Sequence, residues 1–396
     1  MAEIHEISLK KGREKMLSRK HPWIFSGAIA GGIKAAENGA LVRVVSSSGK
    51  YMATGHFQQS SIAVRLLTFS DQTIDQAFYK KRIQSALNYR KTQNLNPAGE
   101  NTNCFRLING EGDKLSGLIA DFYNGLIVLQ YHSYGMYHQR SSIKAAMANV
   151  IGNHEHEIIE FVQGLDLKKV DENFPTDHFA QDGGQEVIEA GIKYLINPFR
   201  GQKTGFFLDQ RDNRIFLRQM SLGKQVLNTF SYTGGFSLNA LKGGAVEVVS
   251  VDSSSYASEM CKKNEQLNGL SGENHEIVTG DVFEFLKEDS REFDVVILDP
   301  PAFAKSRKKS HNAVQAYKRL NREGLKKVKE GGFLMTFSCS QVISNQLFED
   351  TIRAAAIECG RPAKIIKRLG PGTDHPVSVF HPEGHYLKGL LVHLDG

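Results

Sequence analysis

Short apolar runs alternate with amphipathic stretches over the C-terminal half of the chain. The runs at 226–229, 246–251, 276–278, 293–298 and 333–337 have the β-branched content of strands buried on both faces. Between them, 237–242, 256–268 and 314–329 read as helices, the last one broken by Gly331-Gly332. Strands alternating with helices at this spacing predict an α/β fold with a doubly wound, largely parallel sheet. The first half is patterned differently. Runs at 41–45, 51–57 and 62–67, set apart by Ser/Gly turns, predict a small β barrel over residues 1–73. Residues 74–93 read as an amphipathic helix with Ala77, Phe78, Ile83, Ala86, Leu87 and Tyr89 turned to the core. A loop at 94–103 leads to strands at 104–109, 118–122 and 126–131, and Asn124-Gly125 marks a hairpin between the last two. A helix at 138–150 and a strand at 158–163 complete a small α+β middle domain over 74–185, with a polar connector over 168–185. A second hairpin, 186–196 across Ala190-Gly191, opens a third domain over 186–396.

Candidate chemistry gathers where the predicted strands end. The strand at 293–298 stops at Asp299-Pro300-Pro301-Ala302-Phe303; proline cannot donate to a ladder, so Asp299 is left at the carboxyl edge. Open α/β sheets bind ligands along that edge. A turn, Phe230-Ser231-Tyr232-Thr233-Gly234-Gly235-Phe236, follows the first strand of the series. Asp252 ends the second strand, and Asp281 follows the third. In nucleotide-binding folds turn glycines let the backbone approach the ligand, and a second-strand acid bonds ribose hydroxyls. The turn lacks the G-x-G-x-x-G spacing of a dinucleotide site. Upstream, residues 197–214 combine glycines with the paired aromatics Phe206 and Phe207, which offer faces for stacking.

Composition narrows the class. Apolar residues make up 40% and charged residues 23% of 396, as in an ordinary globular protein of two or three domains. Four cysteines without paired or metal-type spacing suggest a reducing compartment. There is no apolar run of membrane-spanning length and no signal-peptide core, so a cytoplasmic location is expected. His154 and His156 alternate with acids and lack a spaced partner, so no metal is expected. The net charge of +6 is uneven: 1–73 carry ten Lys/Arg against five Asp/Glu, and 303–329 carry ten against one. Two basic zones point to a polyanion as partner.

The ordered series of turn, acid, acid and Asp-Pro-Pro resembles class I S-adenosylmethionine-dependent methyltransferases, which implies a Rossmann-like domain and that cofactor. By this resemblance Asp252 holds the ribose, Asp281 the adenine amino group, and Gly234 lies under the methionine moiety. Phe230, Tyr232, Thr233, Ser253, Val282, Asp209 and Arg211 complete the implied cofactor set. Two reactions stay open on the motif alone. Amino methyltransferases use Asp-Pro-Pro-aromatic to hydrogen-bond an exocyclic nitrogen and stack the base, with no covalent step. The other reaction uses Cys339 in Ser338-Cys339-Ser340, one predicted strand away. Cytosine C5 is a poor nucleophile until a thiolate adds at C6, after which it can attack a sulfonium methyl. A third reading, of a different class, is a non-catalytic RNA-binding assembly factor.

More specific motifs occur in order: 203–211 (Lys-Thr-Gly-Phe-Phe-Leu-Asp-Gln-Arg), 230–236, 299–303, 336–340 (Thr-Phe-Ser-Cys-Ser), 374–377 (Asp-His-Pro-Val) and 386–389 (Tyr-Leu-Lys-Gly). Together they resemble the RlmI-type large-subunit ribosomal RNA cytosine-C5 methyltransferases over essentially the whole chain. The resemblance implies Cys339 as nucleophile, Asp299 as clamp on the ring edge, and 23S ribosomal RNA as partner; a homodimer is left open. The Gly-Arg-Glu-Lys of 12–15 and the His-Pro-Trp-Ile-Phe-Ser-Gly of 21–27 resemble a PUA domain, implying RNA contacts at Lys11, Arg13 and Lys15. Lys203, Lys305, Arg307 and Lys308 would grip phosphates around an extruded base, with Phe206, Phe207 or Phe303 stacking on it. Lys318, Arg319, Lys326 and Lys327 either extend this grip or form a solvated helix face. One departure stands out: better-known RNA cytosine-C5 enzymes carry a second cysteine after the Pro-Pro step, where this chain has Ala302. The group that takes the C5 proton is therefore unassigned.

Overall fold

The apolar runs pair into sheets in a computed structural model that describes residues 5–31, 36–152, 156–165, 184–270, 272–304 and 309–395. Lys305, Arg307, Lys308, His154 and the connector over 168–183 lie outside the described residues. The chain divides into two compact units. One comprises Met1–Val187, Ile196–Phe206 and Thr373–Gly384; the other comprises Ile188–Leu195, Phe207–Gly372 and His385–Gly396.

The first unit begins with β1 (His5–Ser8), α1 (Lys15–Ser18), β2 (Trp23–Phe25), β3 (Leu41–Val45), β4 (Tyr51–Phe57) and β5 (Ile62–Thr68). The strands form one sheet in the order β1-β3-β4-β5-β2. Its two edges meet at a Leu9–Ile29 bridge, which closes the expected barrel around Ile7, Ile24, Val42, Val44, Phe57 and Val64. Next come α2 (Gln76–Thr92), β6 (Cys104–Asn109), β7 (Leu118–Tyr123), β8 (Leu126–Tyr131), α3 (Tyr134–His138), α4 (Arg140–Ile151) and β9 (Glu157–Val162). The four strands form a second sheet in chain order. Its β7–β8 hairpin turns on Asn124 (φ 47°) and Gly125 (φ 93°), the left-handed pair that a tight two-residue turn requires. In α2, Phe78, Ile83, Ala86 and Leu87 are buried as expected, but Ala77 and Tyr89 are exposed. Tyr79 and Arg90 occupy the buried face instead. A fully buried arginine defeats a hydrophobicity pattern, and this one is satisfied by a fork onto Asp113 and by the carbonyls of Arg106 and Asp374. The single helix expected at 138–150 is two, because Ser133 caps an earlier start.

The Asp-His-Pro-Val motif belongs to this first unit. The Asp374 carboxylate accepts the Arg106 backbone N–H at 2.8 Å, and the Asn109 amide donates to the Pro376 carbonyl at 3.0 Å. Farther along, the His381 ring lies 4.3 Å from that of Trp23, whose indole N–H donates to Glu111. The motif therefore anchors a segment rather than lining a strand end.

Next in the chain come β10 (Gln185–Glu189) and β11 (Ile192–Ile196), which pair as the second expected hairpin. The second unit then contains α5 (Arg211–Met220), β12 (Gln225–Thr229), α6 (Gly235–Lys242), β13 (Glu247–Asp252), α7 (Ser255–Leu267), β14 (His275–Thr279), α8 (Val282–Glu288), β15 (Phe293–Leu298), α9 (Ser310–Lys326), β16 (Val328–Ser338), α10 (Asn345–Cys359), β17 (Ala363–Leu369) and β18 (Lys388–Leu394). The strands form a seven-stranded sheet in the order β14-β13-β12-β15-β16-β18-β17. The β12 to β16 pairs are parallel and the β18 pairs antiparallel, so the expected parallel sheet gains an antiparallel edge. Strand order reverses between β12 and β15, which makes their carboxyl ends the topological switch point. One local expectation needs correction. Helix α9 ends at Lys326, not 329, and Gly331-Gly332 lie inside β16, where Gly331 adopts φ 71°.

Candidate active site

The turn after β12 is held in a costly shape. Phe230 (φ 53°), Tyr232 (φ 47°) and Gly234 (φ 85°) are all left-handed, and for the two aromatics this costs about 1–2 kcal/mol each. Backbone strain of this kind collects at ligand sites. Gly234 cannot carry a side chain without meeting the sulfur of Cys261 on α7, because an added Cβ would lie 2.5 Å from it. The turn is thus seated directly on the helix that follows β13. Phe230 and Tyr232 are half-buried, while Thr233 is buried. Asp252, at the end of β13, reaches back to the turn and accepts the Tyr232 backbone N–H at 2.9 Å. Its other oxygen accepts the Ser254 N–H at 2.9 Å, and Ser253 beside it is exposed. Asp281 follows β14 and caps α8 by accepting the N–H groups of Phe283 and Glu284 with one oxygen. Its carboxylate is exposed and Val282 behind it is buried. These residues offer two carboxylates, a glycine turn and no lysine or arginine. That donor set fits a nucleoside bearing a positive sulfonium and no phosphate, so it fits S-adenosylmethionine.

Asp299 stands at the next strand end, half-buried, and accepts a hydrogen bond from the Gln210 side-chain amide at 3.0 Å. Strands β15 and β16 are hydrogen-bonded neighbours with Leu298 opposite Thr336. Asp299 and Cys339 therefore lie at the carboxyl ends of adjacent parallel strands. Cys339 is half-buried, whereas Cys104 and Cys261 are buried. Ser340 secures the other side of the turn by donating to the Ala304 carbonyl at 2.8 Å. The Phe303 ring packs edge-on against Tyr317 of α9 at 4.7 Å. Burial pushes the Tyr317 phenol up to about 12, and the charges of Cys339 and Asp299 act on it in the same direction.

The remaining candidates are placed as follows. Asp209 and Arg211 are buried in the second unit: Asp209 accepts the Tyr386 hydroxyl at 2.6 Å, and Arg211 pairs with Glu189 at 3.2 Å. Their charges are turned to protein groups. Lys203 is exposed, and Phe206, 3% exposed, presents no open ring for stacking. Of the aromatic pair, Phe207 is the half-buried one, edge-on to Tyr232 at 5.2 Å. Lys11, Arg13 and Lys15 are exposed on the barrel, and among the described residues no acid pairs with them. In the second basic zone, several of the described cations have acidic partners. Lys318 pairs with Glu358, Arg322 and Lys326 with Glu323, and Lys329 with Asp294, while Arg319 lies over the Phe283 ring. Lys327 donates to the Asp289 carbonyl. Gln210, Tyr317, Tyr386 and Lys388 had no assigned role in the sequence; three of them fall inside or beside quoted motifs, and Tyr317 carried no signal beyond its helical spacing. Among the described residues no cluster of three His, Cys, Asp or Glu side chains could hold a metal ion, and no helix is long and apolar enough to cross a membrane.

Comparison with known proteins agrees with this geometry. A family model described as S-adenosylmethionine-dependent methyltransferase matches residues 181–371, and one described as a PUA-like domain matches 7–69. Ribosomal RNA large subunit methyltransferase I of Klebsiella pneumoniae (strain 342) is 38% identical over 394 residues, covering 97% of both chains. The protein of the same name from Escherichia coli (strain K12) is 37% identical, covering 97% of this chain and 98% of its own. A solved structure assigned as a methyltransferase, complexed with S-adenosylhomocysteine, is 23% identical and covers 98% of this chain and 100% of its own. Its TM-score of 0.84 shows a shared fold.

Proposed function

The chain belongs to the ribosomal RNA large subunit methyltransferase I family of S-adenosylmethionine-dependent methyltransferases, and on that premise we propose that it methylates C5 of a cytosine in 23S ribosomal RNA through a covalent adduct at Cys339. The observation that carries this reading is the placement of a half-buried cysteine and a carboxylate at the ends of the adjacent strands β16 and β15. When bound, the cofactor supplies an electrophilic methyl group. Asp252 would hold its ribose and Asp281 its adenine amine, with the Gly234 turn under the methionine end. Asp299 bonds the Watson–Crick edge of the extruded cytosine, and Phe303 borders the ring. The Cys339 thiolate adds to C6, which makes C5 enamine-like and able to take the methyl group. Loss of the C5 proton to a water molecule then expels the thiolate and restores the aromatic ring.

The test is Cys339→Ala, followed by mass spectrometry of nucleosides from RNA incubated with labelled cofactor. Loss of 5-methylcytidine by about a thousandfold or more, with cofactor affinity unchanged by calorimetry, is expected for a missing nucleophile. An N-methylated product that survives the substitution would instead assign the Asp-Pro-Pro-Ala-Phe motif to amino methylation.

A further inference from the structure

None of the steps above uses Lys388, although it is held beside the thiol. Lys388 opens β18 opposite Ser338, the last residue of β16. Its side chain is 6% exposed and extends past the strand end. There Nζ donates to the Ser340 carbonyl at 2.9 Å and to the Tyr386 carbonyl at 2.7 Å. Cys339 is therefore bracketed: the residue before it faces Lys388 across the sheet, and the residue after it gives Lys388 an acceptor. An ammonium has three N–H donors, so one remains after these two bonds. Among the described residues no carboxylate pairs with it. A buried cation without a counter-ion is costly, and carbonyl dipoles offset only part of that cost.

The opposite charge within its reach is that of Cys339 as a thiolate. Burial lowers the lysine's hold on its proton, and the Cys339 charge acts to raise it. Coulomb interaction is mutual, so the ammonium favours the thiolate to the same degree. Two described groups near the thiol do not supply this. Tyr317 is a neutral phenol at physiological pH, and Asp299 is an anion that opposes a second negative charge. We propose that Lys388 is a positioning residue that keeps Cys339 as a thiolate before RNA arrives, with the thiol proton leaving to solvent and the lysine retaining its own.

This inference rests on the covalent reading of Cys339, and the experiment separates the two. The rate of Cys339 alkylation by iodoacetamide is followed against pH by peptide mass spectrometry, on the full chain without RNA. Lys388→Gln keeps donors for the two carbonyls and removes the charge, whereas Lys388→Arg keeps the charge. The glutamine variant is expected to raise the midpoint by about one pH unit or more, which is about tenfold in thiolate near neutrality. The arginine variant should stay near the wild type. Calorimetric binding of S-adenosylmethionine reports whether each variant is folded, and Cys359 is the internal reference thiol. The methylation pH profile of Lys388→Gln should shift upward in parallel and regain activity at alkaline pH, which a purely structural lesion would not do. An unchanged alkylation midpoint in a folded Lys388→Gln protein overturns the role of Lys388. Failure of wild-type Cys339 to form an adduct with 5-fluorocytidine RNA overturns the covalent reading, whatever the midpoint shows.

Discussion

Replacing Gly234 by alanine tests whether the cofactor turn is seated on α7 as described. Two costs combine. Alanine at φ 85° costs about 1–2 kcal/mol for the left-handed backbone. The new Cβ would also lie 2.5 Å from the Cys261 sulfur, and overpacking of this kind costs about 1–3 kcal/mol. Burial pushes the Cys261 thiol up to about 12, so at neutral pH the sulfur is an uncharged apolar neighbour and only its bulk matters. Gly234→Ala should therefore destabilise the second unit by about 2–5 kcal/mol. Adding Cys261→Ala removes the collision but not the backbone cost. The double variant should be more stable than the sum of the single changes by about 1–3 kcal/mol. The only tryptophan, Trp23, lies in the first unit, so its fluorescence would not report this change. Hydrogen exchange read by mass spectrometry on peptides from 225–268 does report it. Additivity of the two substitutions to within about 0.5 kcal/mol would show that the sulfur is not the seat of the turn, and would refute the reasoning.

Trp23 is the right probe for a second prediction, on pH. His56 of β4 is buried and neither ring nitrogen has a hydrogen-bond partner; burial pushes the imidazole down from 6.5 to about 3, with His138 and Arg65 adding to it. The unfolded chain takes up this proton near pH 6.5 and the folded one only near 3, so stability is complete above about 6.5 and falls as pH drops through that window. The slope is about 1.4 kcal/mol per pH unit. Urea midpoints followed by Trp23 fluorescence should show a flatter dependence for His56→Leu; equal slopes would exclude His56 as a cause. At the cofactor site, Asp252→Ala should weaken S-adenosylmethionine binding by about ten- to a hundredfold in calorimetry, the range for lost hydrogen bonds to a charged group. Unchanged affinity would remove Asp252 from the site.

Local rules made much of this protein legible. Short β-branched runs suit buried strands, proline cannot donate to a ladder, and Asn-Gly suits a left-handed turn; together these place the parallel strands, the hairpins and Asp299 at a carboxyl edge. The failures share one physical cause: each depends on which distant segment lies alongside. Counting charges along 303–329 gave a strongly basic zone, yet acids from β15, α10 and α9 itself pair with Lys318, Arg322, Lys326 and Lys329. Arg90 sits on the apolar face of α2 because Asp113 and the Asp374 carbonyl reach it across the first unit. That Cys339 neighbours Asp299 follows from β15 and β16 being adjacent, which the alternating pattern suggested and the sheet order settled. That Lys388 stands beside them required β18, the last strand in the chain, to insert next to β16 in antiparallel register. Residue type determined what each strand end can do, and long-range pairing decided which ends meet.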